Sequence, residues 1–176
     1  MKNMTLQTMS QTIETHDSEL HELVLDELAE MLNAEQQLMK ALPKMARAAM
    51  TEQLSRAFES HLVETEYHVI RLEQVFASLN EPMQSKQCKA MKGLLAEGDE
   101  IMHEMKGSSA LDAALIANAQ KVEHYEIAAY GTLCSWAEKM GYEDAIELLD
   151  ATLDEEKVAD EMLTVIADSY ETEVEY

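Results

Sequence analysis

Glycine and proline are scarce, with five Gly and two Pro among 176 residues. Few points therefore exist at which a helix is forced to stop. Runs of β-branched residues are equally rare, which removes the main signal for strands. The two cysteines, Cys88 and Cys134, lie far apart without a C-x-x-C spacing, excluding a disulfide framework and a zinc ribbon. Basic residues are few, 13 Lys and Arg against 35 Asp and Glu, for a net charge of −22. Nucleic acid and anionic membranes need clustered cations and are excluded as partners. The acidity suits cations, although a solvated surface accounts for it equally well. No apolar run reaches transmembrane length and no signal or transit peptide opens the chain, so a cytoplasmic location is expected.

What is abundant is Ala, Leu, Met, Glu and Gln in a 3.6-residue period, the pattern of an all-α protein. Residues 1–16 lack a sustained stripe and read as a flexible N-terminal arm, with Asp17 or Ser18 able to cap the first helix. From Leu20 the stripe continues through Leu28, Leu32, Leu38 and Leu42 to Ala49, with a kink expected at Pro43. Thr51 marks the turn into a second helix, about 52–80, which buries Phe58, Leu62, Leu72 and Phe76. The segment Asn80–Lys86 breaks the period, and a shorter helix follows over Cys88–Lys106, weakened at Gly98. Ser109 and Asp112 resemble a capping box for a third long helix, about 110–140, and Gly141 turns the chain into a fourth, about 142–168. Residues 169–176 form an acidic tail. The 13 Met fall mostly on the stripes as packing residues, and Cys134 reads as core.

The stripes themselves carry charge. In Ala119–Leu133 the face formed by Ile116, Ala119, Glu123, Ile127, Tyr130 and Cys134 has a glutamate at its middle, with Glu126 at its edge. Glu35 sits in the first stripe, His61, Glu64 and His68 share a line at i, i+3 and i+7 in the second, and Glu156 with Asp160 interrupts the fourth. The neighbouring Glu155 falls to the side and reads as solvated. A lone histidine on an apolar face is ordinarily a satisfied core residue, and one misplaced glutamate signals a misjudged helix. Four helices breaking the pattern near their midpoints require a common cause, because a buried charge must neutralise, pair or coordinate.

Two helical hairpins joined by one crossover of about 30 residues describe a ferritin-like four-helix bundle, the crossover carrying the short extra helix. Such bundles hold two metal ions by one Glu from each of two helices and a Glu-x-x-His pair from each of the others. Here the fourth helix lacks that pair, with Asp160 standing in, and the second presents His61-x-x-Glu64 in reverse order. The oxygen-rich set favours iron, then manganese, over copper. Without metal, mutual repulsion and burial should raise several carboxyl pKa values.

The run DAALIANAQKVEHYEIAAYGTL (Asp112–Leu133), with AEQQL (Ala34–Leu38), HLVET (His61–Thr65) and LDEEKVAD (Leu153–Asp160), closely resembles the bacterial YciE/YciF-type ferritin-like family over about residues 20–168. The resemblance implies a ferritin-like bundle, commonly a homodimer, linked to stress responses and carrying a dinuclear centre. Position by position it implies the metal ligands Glu35, Glu64, Glu123, Glu126, Glu156 and Asp160, with His61 in addition; at His68 the family pattern can carry Gln. Three readings follow. The first is a redox-active pair of metal ions handling oxygen, peroxide or iron, with Tyr130 as a hydrogen-bonding neighbour or simply a core residue. The second is iron binding or metal sensing without turnover. The third is a metal-free helical module whose acids pair with His61, His68 and Lys121 or interact across a dimer. The sequence leaves open whether the chain is an enzyme.

Overall fold

The computed structural model describes the backbone of residues 2–172 and the side chains of residues 19–169. Five helices follow in order: α1 (Lys2–Ala48), α2 (Glu52–Ser78), α3 (Lys89–Glu104), α4 (Leu111–Met140) and α5 (Glu143–Thr172). The α1–α2 and α4–α5 hairpins pack together through α2 against α5 and α1 against α4, while α3 lies across α1 and α4. This is the ferritin-like bundle with one long crossover. The core is aliphatic, built from residues such as Leu28, Leu32, Leu54, Leu72, Leu115, Leu133 and Leu149, with Phe76 and Tyr130 as its largest members.

Each hairpin closes by a different device. At α4–α5, Gly141 adopts φ 70°, and the N–H groups of Gly141 and Tyr142 donate to the carbonyls of Glu138 and Ala137. That left-handed closure favours glycine. At α1–α2, Thr51 Oγ1 accepts the Leu54 N–H, as expected of a cap.

Several boundaries differ from expectation. Backbone helix continues from Lys2 through residues 17 and 18, so neither Asp17 nor Ser18 begins a helix. No Gly or Pro precedes Pro43 to stop propagation, and Pro43 itself lies inside α1. The side chains of the expected arm lie outside the described residues, as do residues 173–176 of the expected tail; the first part of that tail extends α5. The expected Ser109–Asp112 capping box does not form, since α4 starts without a side-chain cap. Asp112 instead reaches the first hairpin turn, accepting from the Met50 N–H at 2.7 Å, the Thr51 N–H at 2.8 Å and Thr51 Oγ1 at 2.7 Å. Those three bonds account for an aspartate only 1 % exposed.

The crossover is held by its backbone. Lys86 N–H donates to the Ala29 carbonyl, Cys88 N–H to Asn33 Oδ1, and the Gln37 amide to the Cys88 carbonyl. Gly98, which weakens α3 as a helix former, permits its packing on α4. A Cβ there would stand 2.7 Å from Asn118 Oδ1, and the Asn118 amide donates to the Leu94 carbonyl.

Candidate metal centre

The helical stripes bring six titratable side chains to the middle of the bundle. α1 contributes Glu35, α2 His61 and His68, α4 Glu123 and Glu126, and α5 Glu156, all buried. They form two groups, each with one potential ligand atom per residue and all those atoms within 4.8 Å of one another: His61, Glu123, Glu126 and Glu156, and Glu35, His68 and Glu156. Glu156 belongs to both.

The polar atoms converge. His61 Nε2 lies 3.5 Å from Glu123 Oε1 and 3.7 Å from Glu156 Oε2. His68 Nδ1 lies 2.9 Å from Glu156 Oε1 and 3.6 Å from Glu35 Oε1. None of these approaches meets hydrogen-bond geometry, although the His68–Glu156 contact is an ion pair when the imidazole is protonated. Also without a hydrogen-bond partner are Glu35 Oε2, Glu123 Oε2 and both oxygens of Glu126 and of Glu156. Native interiors rarely leave even one buried carboxylate oxygen unpaired, so the cluster has the donor chemistry of a cation site. Four carboxylates and two neutral imidazoles carry −4, the charge that two divalent ions neutralise.

The outward nitrogens explain the aim of the inward ones. His61 Nδ1 meets Glu64 Oε2 at 3.2 Å, and His68 Nε2 meets Glu155 Oε2 at 2.9 Å. A carboxylate holding one ring N–H leaves the opposite lone pair facing the centre. Glu155 is in turn gripped by Arg71, whose guanidinium donates to both carboxylate oxygens at 2.5 and 2.7 Å. The Tyr130 hydroxyl donates a short hydrogen bond to Glu35 Oε1.

Without metal, protons take the place of cations. Burial pushes the carboxyls of Glu123 and Glu126 well above their ordinary values, and neighbouring carboxylates add to this. Glu35 is raised by burial too, against the opposing pull of His68. Glu156 is the exception: burial acts upward, but the proximity and charge of His68 and His61 outweigh it and lower its pKa. Burial alone would depress both histidines. The carboxylates reverse this, chiefly Glu123 for His61, raised to about 9, and Glu156 and Glu35 for His68, raised to about 11.

Of the residues expected from sequence, Glu35, His61, Glu123, Glu126 and Glu156 meet. Glu64 and Asp160 do not. Glu64 lies at the rim with 42 % of its side chain exposed and touches the cluster only through His61. Asp160 Oδ2 pairs with the exposed His124 of α4 at 3.1 Å, while its Oδ1 is buried without a hydrogen-bond partner. The reason lies in α5, whose buried line runs Leu149, Leu153, Glu156, Leu163 and Ile166, so that Asp160 falls to its edge. His68 is fully buried in the centre, the more secure of the two histidines. Its position one heptad from His61 was the available signal. Glu155 is not merely solvated, and neither it nor Arg71 could be recognised locally because they meet across helices. Lys121 pairs with Glu97 at the surface and not with the core acids.

Residues 19–174 match a family described as a domain of unknown function, DUF892. The chain is 48 % identical over 141 residues to protein YciF of Escherichia coli strain K12, covering 80 % of this chain and 85 % of that protein. The crystal structure of the E. coli stress protein YciF superposes with a TM-score of 0.84 at 44 % identity, covering 87 % of this chain and 97 % of that one. YcfI of Rhodopseudomonas palustris, described as a structural protein, gives a TM-score of 0.80 at 46 % identity, with 82 % and 92 % covered. A Xanthomonas campestris protein at 18 % identity and a TM-score of 0.67 shares the fold alone. With its bundle, its crossover and the family match over nearly its whole length, the chain belongs to the DUF892 family, the YciE/YciF-type ferritin-like proteins.

Proposed function

We propose that the chain is a dinuclear metal protein of the bacterial stress response, holding two ions of iron or, failing that, of manganese, and reacting with dioxygen or peroxide. The observation that carries the reading is the set of orphaned, inward-facing ligand atoms whose total charge balances two divalent cations. Glu35, His68 and Glu156 would hold one ion and His61, Glu123, Glu126 and Glu156 the other, Glu156 being common to both. Bound there, a pair of redox-active ions supplies electrons to the oxidant and Lewis acidity toward its oxygen atoms. The mixed nitrogen and oxygen donors suit iron and manganese.

The protein's own groups set the conditions. Glu64 and Glu155 orient the imidazoles, Arg71 immobilises Glu155, and the Tyr130 hydroxyl fixes one oxygen of Glu35. Tyr130 stays protonated as a hydrogen-bond donor beside the centre, its pKa pushed well above the ordinary value by burial and the Glu35 charge. The aliphatic shell of α1 and α4 excludes bulk water on the crossover side. A homodimer belongs to the same reading, supported by the exposed strip Val63, Tyr67 and Ile70 at i, i+4 and i+7 of α2; sedimentation tests it. Among the described residues no helix is long and apolar enough to cross a membrane.

Anaerobic reconstitution with iron, elemental analysis and peroxide addition under an absorption spectrometer test the function. About two ions per chain and a ligand-to-metal band on oxidation, with repeated turnover, are expected. Stoichiometric binding without turnover would leave a binding or sensing protein. Absence of metal, with thermal stability unchanged by chelator, would return the cluster to a packing role.

A further inference from the structure

A cleft of about 280 Å³ lies between the first half of α2 and the second half of α5 and reaches the His61 side of the cluster. Ala57, Phe58, Ala159, Met162 and Leu163 form its walls, Arg56 and Glu64 stand at its rim, and His61 and Glu123 close its inner end. The alanines on the two helices leave the gap that larger side chains would fill.

The lining decides what the cleft suits. A hydrated cation entering between Phe58, Met162 and Leu163 would lose water ligands without replacement, so this is a poor path for iron. Peroxide and dioxygen need far less room. An apolar cavity of about 150 Å³ already admits a benzene ring, and small-molecule sites begin near about 300 Å³. The size is that of a compact organic molecule. A protein segment is disfavoured, because the inner end lies against His61 and Glu123, only 6 % and 3 % exposed, where a slim group alone can reach. The inner end suits a hydrogen-bonding head: His61 Nε2 and Glu123 Oε2 are buried there without hydrogen-bond partners, and a hydroxyl can both donate and accept.

We propose that the α2–α5 cleft binds a compact amphiphile, a short alkyl or aryl chain bearing one hydroxyl or hydroperoxyl group, with its head at His61 and Glu123. The inference deepens the metal reading, naming the organic substrate class admitted to that centre, and rests on it for any chemistry; binding itself needs no metal.

The experiment is calorimetric titration of 1-octanol into metal-free and manganese-loaded protein. Octanol should bind both forms. Ala159→Trp, which fills the cleft, and Ala57→Leu, a milder filling should the first fail to fold, should each weaken octanol at least tenfold while manganese stoichiometry is kept. Absence of octanol binding to the wild type, or unchanged affinity in folded cleft variants, would each overturn the proposal. Failure of manganese uptake with octanol binding intact would remove the metal reading and sustain the cleft.

Discussion

The two histidines of α2 face the same cluster but are held in unlike ways. His68 is fully buried, and its outer partner Glu155 is clamped by both guanidinium N–H donors of Arg71. His61 stands at the inner end of the cleft, and its outer partner Glu64 is 42 % exposed. One half of the centre is thus anchored and sealed, the other open and lightly held. In an oxidant-handling site this division separates retention of the metal pair from access to it.

The largest expected effect removes the distinction altogether. Glu156→Ala deletes the carboxylate common to both groups, and elemental analysis should find metal falling from about two ions to below one per chain. Glu123→Ala should also abolish tight binding of the pair; two ions still tightly held in that variant would show the ligand assignment to be wrong. Arg71→Ala sharpens the comparison without touching a ligand. Loosening the Glu155 support should cost about 10–100-fold in metal affinity, the usual weight of an outer-shell partner, as read by competition with a chelator. Glu64→Gln, removing the weaker and more exposed support, should cost less than Arg71→Ala. A reversal of that order would refute the anchored and open assignment.

The smallest effect is the pH dependence of the metal-free protein. His61, raised to about 9, stabilises the fold fully below the ordinary histidine value of about 6.5. That contribution declines as pH rises and is gone above about 9. The raised carboxyls of Glu35, Glu123 and Glu126 act in the same direction. Thermal melts should therefore show the metal-free protein losing stability from pH 6.5 to 9. Because the metal displaces these protons, apparent metal affinity should rise over the same interval.

Periodicity made much of this site legible. Glu35, Glu123 and Glu156 interrupt aliphatic lines at positions where a solvated residue would not fall, and the Gly141 turn with the long crossover fixed the topology. Glu64 and Asp160 stand outside the two groups because a residue one turn from a core position can fall to either side of the stripe, and packing between helices decides which. Glu155 and Arg71 left no trace, since their partnership joins α2 to α5 and no local spacing encodes it. The same holds for the cleft, which exists through the apposition of Ala57 and Ala159 on separate helices.

Asp112 has a consequence for alignment along the bundle axis. Its carboxylate fastens the first turn of α4 to Met50 and Thr51 in the opposite hairpin, which sets how far α4 is advanced relative to α1 and α2. Glu123 lies three helical turns further along, and slippage by one turn, about 5.4 Å, would carry Glu123 and Glu126 past His61 altogether. The aspartate works as a vernier stop: a buried contact at the end of the bundle, roughly 16 Å from Glu123 at the rise of a helix, determines whether ligand atoms from separate hairpins arrive at the same height.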